Sequence, residues 1–501
     1  MGNITKQGRD IFNKHRSKIM KVIRGIRYAL SAVTMIAFFL FFFYSSLTSM
    51  FICILAFWAI NLCFALSKFS CRLAYTLFLS SFFCFLMGRM AMDLLTNGTI
   101  RFYFSDKISG HMLLTIMLSL IFLQIGFELF EKWRVLNPRH KDKKSQNNPE
   151  KAAVTQRMRQ YAKWLFYLSA VFAILMNMEQ IYFIYQNSYL DLYKYFSSSI
   201  PRVLQVLGNS HLALLFLYLA TRPSKKKCIL PLSVFFVISL TGLLAGDRGL
   251  FIVNIAVMLV YVFWRQYQDR EIWIGKKIII IGVCCIPVMI AGMSFFVYLR
   301  EGVDVGEKTF SAQFIRFFNS TGNTVDLLGY GNQFQHDFPQ HFYSFGELID
   351  YVKYNPISQL LFGIEKPLVH TAEYATTMHS YAHMISYLIA PDKYLLGHGY
   401  GSAYIAEAYH DFGYLGVIIC NGFYGCMLAG IYKLRKAGPV LTAAAFIGLR
   451  IMFYVPRGPM ISPITYVLNI TTVFVLAGIW LCAKYQPKAS AWCRRIFTKG
   501  K

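Results

Sequence analysis

Apolar runs of about 20 residues recur from residue 28 almost to the end of this 501-residue chain. A helix of that length covers the roughly 30 Å of hydrocarbon in a bilayer. A segment that crosses hydrocarbon must also satisfy its own backbone polar groups, which a helix does. The pattern therefore predicts an all-α polytopic membrane protein. About twelve spans are expected, at approximately 28–47, 49–67, 72–91, 109–130, 161–185, 203–221, 228–245, 249–264, 278–298, 411–432, 438–456 and 462–483. A composition of 56% hydrophobic and 15% charged residues agrees.

The net charge of +27 would suit nucleic acid only if it were gathered on one soluble surface. It is instead spread over alternate loops. With the N-terminus inside, segments 1–27, 68–72, 132–163, 222–227, 265–277, 433–436 and 484–501 all face the cytoplasm and hold 37 of the 51 Lys and Arg. This is the positive-inside bias, so the charge sets an N-in/C-in orientation and no nucleic-acid partner is expected. The N-terminal basic stretch is too long for a cleavable signal, and the apolar run after it is long enough to span, so it reads as a first anchor. None of the eleven cysteines lies between 299 and 410, so no external disulfide framework is expected.

The chain then divides into a basic cytoplasmic N-terminus (1–27), nine spans (28–298), an extracytoplasmic loop (299–410), three spans (411–483) and a basic tail (484–501). The cytoplasmic connector 132–163 is solvated and polar. The 299–410 loop is far longer than a connection requires, and loops of such length are usually functional. Apolar residues at helical spacing over 311–318 predict one helix in it. Residues 346–362 read as two short helices meeting at "NPIS", with Pro356 suited to a first helical turn. "TAEYATTMHSYAHMISYLIA" (371–390) reads as one longer helix ended by Pro391.

Seven of the eleven histidines lie in this loop. His379 and His383, spaced i, i+4, would share a helix face. With His398 and Glu407 they are the candidates for acid–base work, since a base at neutral pH needs a pKa near the working pH. No HExxH, CxxC or DxD pattern occurs, and no metal or cofactor is expected. In "LGHGYGSAYIAEAYHDFGYLGV" (396–417), Gly399 and Gly401 permit a tight turn and Ser402 suits an N-cap. The helix that follows would then present free N–H groups and the positive end of its dipole, an anion site. Arg248 in "AGDRGLF", Arg300 in "YLREG", Arg316 and Arg457 in "VPRGP" fall on the same side, with Arg450 one to two turns deeper. Guanidinium forks bind phosphate oxygens bidentately, so these arginines describe a site for a phosphorylated lipid headgroup.

With "GDRG", "MHSYAHMISYL" and "GHGYGSAYIAEAYHDFGYLGV" in view, the chain resembles the Wzy-type polymerases of O-antigen and capsule repeat units, most closely over about 379–430. The resemblance implies a GT-C-like helical glycosyltransferase of the bacterial inner membrane with its site facing the periplasm or cell exterior. It also implies undecaprenyl-pyrophosphate-linked oligosaccharides as substrates. Membrane lipids, a chain-length regulator and a flippase are the expected partners. An O-antigen ligase would show similar outer arginines. A flippase would instead keep its polar site near the midplane on broken helices, whereas the ionisable residues here gather outside.

Overall fold

The computed structural model describes residues 2–136, 149–187, 191–275 and 309–498, with scattered positions between 277 and 292. Among these residues all regular structure is helical and there is no strand. Among the described residues nine helices are long and apolar enough to cross a membrane. A tenth is formed if Ser462–Leu468 and Ile470–Gln486, bent by 49° at Asn469, make one span. The eleventh expected span is the shorter apolar helix Pro439–Met452, and the ninth, 278–298, lies almost wholly outside the described residues.

Helix Tyr404–Gly430 packs closely along helix Asp106–Leu136. Gly126 lies against the Gly422 carbonyl, and Gly425 against the backbone of Leu123 and Phe127. With no hydrophobic drive between helices in lipid, such glycine contacts let two backbones approach and gain dispersion energy. A Cβ at either position would separate them.

Several charged contacts tie the helices together. Arg27 pairs with Glu128 (2.7 Å), Arg72 with Glu131 (2.8 Å), and Arg159 donates to the Thr221 carbonyl (2.6 Å). Lys433 donates to the Phe130 carbonyl as well. The loop is anchored by Arg89, whose guanidinium forks onto Asp326, with Nη2 2.7 Å from Oδ1.

The loop is a cap of short helices, as its residue spacing predicts. Helix Phe310–Gly322 is capped by the Thr309 hydroxyl. Helices Gly346–Lys353 and Pro356–Phe362 meet at Asn355, whose side chain accepts from the N–H groups of Ile357 and Ser358. Residues 371–390 differ from expectation. They form two helices, Ala372–Thr377 and Tyr381–Ile389, because Met378 is extended (φ −82, ψ 148). His379 and His383 therefore do not share a helix face. The cause is a long-range contact: Asp350 accepts from the His379 backbone N–H at 3.0 Å and holds its ring, drawing the chain out of helix.

Candidate active site

Arg450 is the deepest of the arginines singled out by sequence, near the end of helix Pro439–Met452 and only 7% exposed. Its Nε donates to Asn254 Oδ1 at 2.5 Å, and Asn254 in turn donates to Ser239 (2.9 Å). Among the described residues its two terminal nitrogens have no hydrogen-bond partner, yet they are not sealed from solvent. The chain thus fixes the guanidinium by one edge and leaves the other edge open. Burying a charge in this way is costly unless a partner arrives or water reaches it.

Other groups converge on this point. Asp247 and the Tyr466 phenol lie within electrostatic reach of Arg450, and Tyr466 also senses Glu347 and Tyr454. Gly249, next to Arg248, abuts the Tyr454 ring, which packs edge-on to Phe85 at 5.7 Å. Arg457 lies over that same Phe85 ring, 6.0 Å from its centre. The backbone beside Arg248 and the Phe85 ring under Arg457 thus both meet Tyr454, while Arg450 is linked to it through Tyr466. Arg316 is an exposed residue of helix Phe310–Gly322, and Arg300 lies outside the described residues.

Beside the arginines stands the helix Gly346–Lys353. Its Glu347 accepts from the Ser462 hydroxyl at 2.7 Å, and burial pushes its carboxyl above the usual range while hydrogen bonds from Ser462 and Thr465 oppose the shift. One turn on, Asp350 Oδ1 lies 2.8 Å from His379 Nδ1. Burial raises the Asp350 carboxyl too, against the pull of that histidine. Gly346 lies directly on the His379 carbonyl, so the histidine is fixed to this helix from two sides. With Nδ1 engaged, Nε2 is the nitrogen left for chemistry, and among the described residues it has no hydrogen-bond partner.

The remaining candidates are placed elsewhere. The His383 ring sits 3.0 Å from the Tyr394 hydroxyl, among Tyr374 and His370, and burial lowers its pKa to about 4. Burial among these rings disfavours its protonated form. His398 is exposed in the turn after helix Pro391–Leu395. Gly399 is also exposed, and Gly401 takes φ +83, the left-handed turn its sequence suggests. Ser402 does not cap the helix. The N-cap is Ala403, and the Ser402 hydroxyl donates instead to Glu407 Oε1 at 2.5 Å. Glu407 Oε2 accepts from the Met460 N–H (2.7 Å), and Glu407 is 1% exposed. The first turn of this helix is therefore buried and already faces a carboxylate of its own chain. Glu407 thereby ties the chain at Met460 to the start of this helix.

A family model, O-antigen polysaccharide polymerase Wzy, matches residues 26–489. The chain belongs to this family. No curated protein and no solved structure matches it. As a Wzy family member it is a multi-pass membrane protein and an O-antigen polymerase.

Sequence reasoning on this Wzy chain missed Asp350, Glu347, Asn254 and Arg89. Asp350 and Glu347 stand one turn apart in "FGELIDYVK", which reads as an ordinary amphipathic helix. Asn254 and Arg89 are polar residues inside apolar helices, and that cost was the available signal.

Proposed function

We propose that this polymerase joins oligosaccharide repeat units carried on undecaprenyl pyrophosphate, making O-antigen or capsule polysaccharide on the periplasmic face of the inner membrane. A sugar hydroxyl of one lipid-linked unit attacks the anomeric carbon of the growing chain. The new C–O bond forms as the anomeric C–O bond to the diphosphate breaks. The hydroxyl proton passes to His379 Nε2, and undecaprenyl pyrophosphate leaves. In this reading the bundle and its helical cap form a GT-C-like arrangement.

The observation that carries the reading is the open edge of Arg450, a buried guanidinium held at Nε by Asn254 whose two terminal nitrogens have no hydrogen-bond partner among the described residues. Charge develops on the departing diphosphate, and a fixed donor that needs no reorganisation stabilises it best. Arg457 and Arg248 extend the cationic surface towards the exterior. Asp350 orients His379, as a carboxylate orients the base in other acid–base sites. Glu347 is placed to hold the acceptor, and Glu407 positions the segment bearing Arg457.

Purified protein in nanodiscs, given a single lipid-linked repeat unit, should produce a ladder of multimers and stoichiometric undecaprenyl pyrophosphate. Transfer only onto a lipid A core would indicate a ligase. Multimers formed without diphosphate release would overturn the proposed chemistry.

A further inference from the structure

The cap carries an apolar surface that polymer chemistry does not use. Between 352 and 369 the side chains of Val352, Ile357, Leu360, Leu361, Phe362 and Leu368 are all exposed, Leu360 by 85% and Leu368 by 79%. Helix Pro356–Phe362 turns back at Gly363 (φ +63), so these residues form a hairpin tip with apolar residues on both arms. Lys353 and Lys366 lie at its base, their ammonium groups on the rings of Tyr354 (5.0 Å) and Tyr374 (5.8 Å), and Glu365 is the one acid within this stretch.

The hairpin adjoins the exposed apolar flank of a candidate span. The preceding helix reaches the break in the last span, where the Tyr351 hydroxyl accepts from the Ile470 N–H at 2.5 Å. Around that break Leu468, Ile470, Val473 and Phe474 are exposed on the flank of the span. On its other side, helix Ser462–Leu468 lies against Gly448 of the Arg450 helix, and its Tyr466 reaches Arg450. The hairpin, the break and the guanidinium thus follow one another along a single short helix.

We propose that the 352–369 hairpin inserts into the outer leaflet beside the Asn469 break and flanks the lateral path of a polyprenyl-linked substrate to Arg450. Apolar tips with lysines at their base fit the interface between acyl chains and headgroups. The second half of the proposal rests on the function proposed above, and the first half does not.

The test places single cysteines in a variant whose eleven native cysteines are replaced, purified and held in phospholipid nanodiscs. An impermeant maleimide requires a hydrated, ionisable thiol. Leu360→Cys and Phe362→Cys should label at least tenfold more slowly than Glu373→Cys on the exposed part of the cap, and fully after denaturation in SDS. Equal labelling rates in nanodiscs overturn insertion, whatever the enzyme's activity. For the path, Leu360→Glu with Leu361→Glu should raise KM for the lipid-linked unit several-fold and leave kcat unchanged. Where cysteine labelling confirms insertion of the unmodified hairpin and shows that the two glutamates abolish it, an unchanged KM overturns the path alone.

Discussion

One carboxylate, that of Asp350, holds His379 twice, with Oδ1 2.8 Å from the ring Nδ1 and Oδ2 3.0 Å from the backbone nitrogen. The same contact breaks the helix and aims the imidazole. If His379 is the base, His379→Ala should cut polymerisation roughly 10²- to 10⁴-fold. Asp350→Asn should cost less in rate and shift the pH profile, because it keeps the backbone contact and loses the charge. A single-turnover assay across pH reads both. A flat profile in the Asn variant would argue against the dyad.

Arg450→Ala should lower kcat roughly 10²- to 10³-fold, the usual loss when one fixed anion donor is removed. Arg450→Lys should recover little of this, since lysine keeps the charge but loses both the fork and the Asn254 contact. Steady-state rates on the lipid-linked unit, with membrane insertion checked by protease protection, test the point.

Glu347 gives a pH dependence of stability. Its folded pKa is raised by burial, so folding favours the protonated form. That contribution is complete below the unfolded carboxyl pKa and is lost as pH rises through the folded one. Glu347→Gln cannot ionise, so it should gain on wild type in thermal unfolding at neutral pH and match it in acid. The reverse order would mean that the carboxylate is stabilised in place.

Arg89 and Asp326 join the cap to the third candidate span, and both are largely shielded. Removing one partner of such a pair strands the other, at a cost of about 3–5 kcal/mol. Arg89→Ala should therefore lower the unfolding temperature markedly, and Arg89→Met with Asp326→Leu should restore part of it. If the double variant is no better than Arg89→Ala, the pair does more than hold the cap.

Gly413 interrupts helix Tyr404–Gly430 at φ 59, ψ −152, a conformation side chains rarely adopt. Gly413→Ala should cost about 1–3 kcal/mol. Because Glu407, His410 and Asp411 precede the kink, the variant should also disturb the cap. Thermal unfolding and protease sensitivity of the 399–412 stretch would report both.

Hydropathy made the bundle legible, since each long helix carries its own reason for crossing a membrane. The paired helices at Asn355 were legible too, because the cap is made within four residues. What escaped was held by distant partners. Nothing near Met378 breaks a helix. Asp350, 29 residues before His379, does so. Ser402 looks like a cap until Glu407, five residues on, takes its hydroxyl. The arginines were legible as residue types expected on one side of a membrane. Only the fold separates Arg450, with its free edge, from Arg316 on the surface of the cap.

The bend at Asn469 leaves the last span without a continuous backbone ladder, and the hydroxyl that meets Ile470 there comes from the cap. A broken helix at membrane depth survives only where something else satisfies its freed groups. The cap is therefore a missing turn of the membrane domain as much as a cover for it. Excising residues 309–403 as a soluble fragment should yield two incomplete pieces, and a chimera that exchanges caps between Wzy relatives must bring its own substitute for Tyr351.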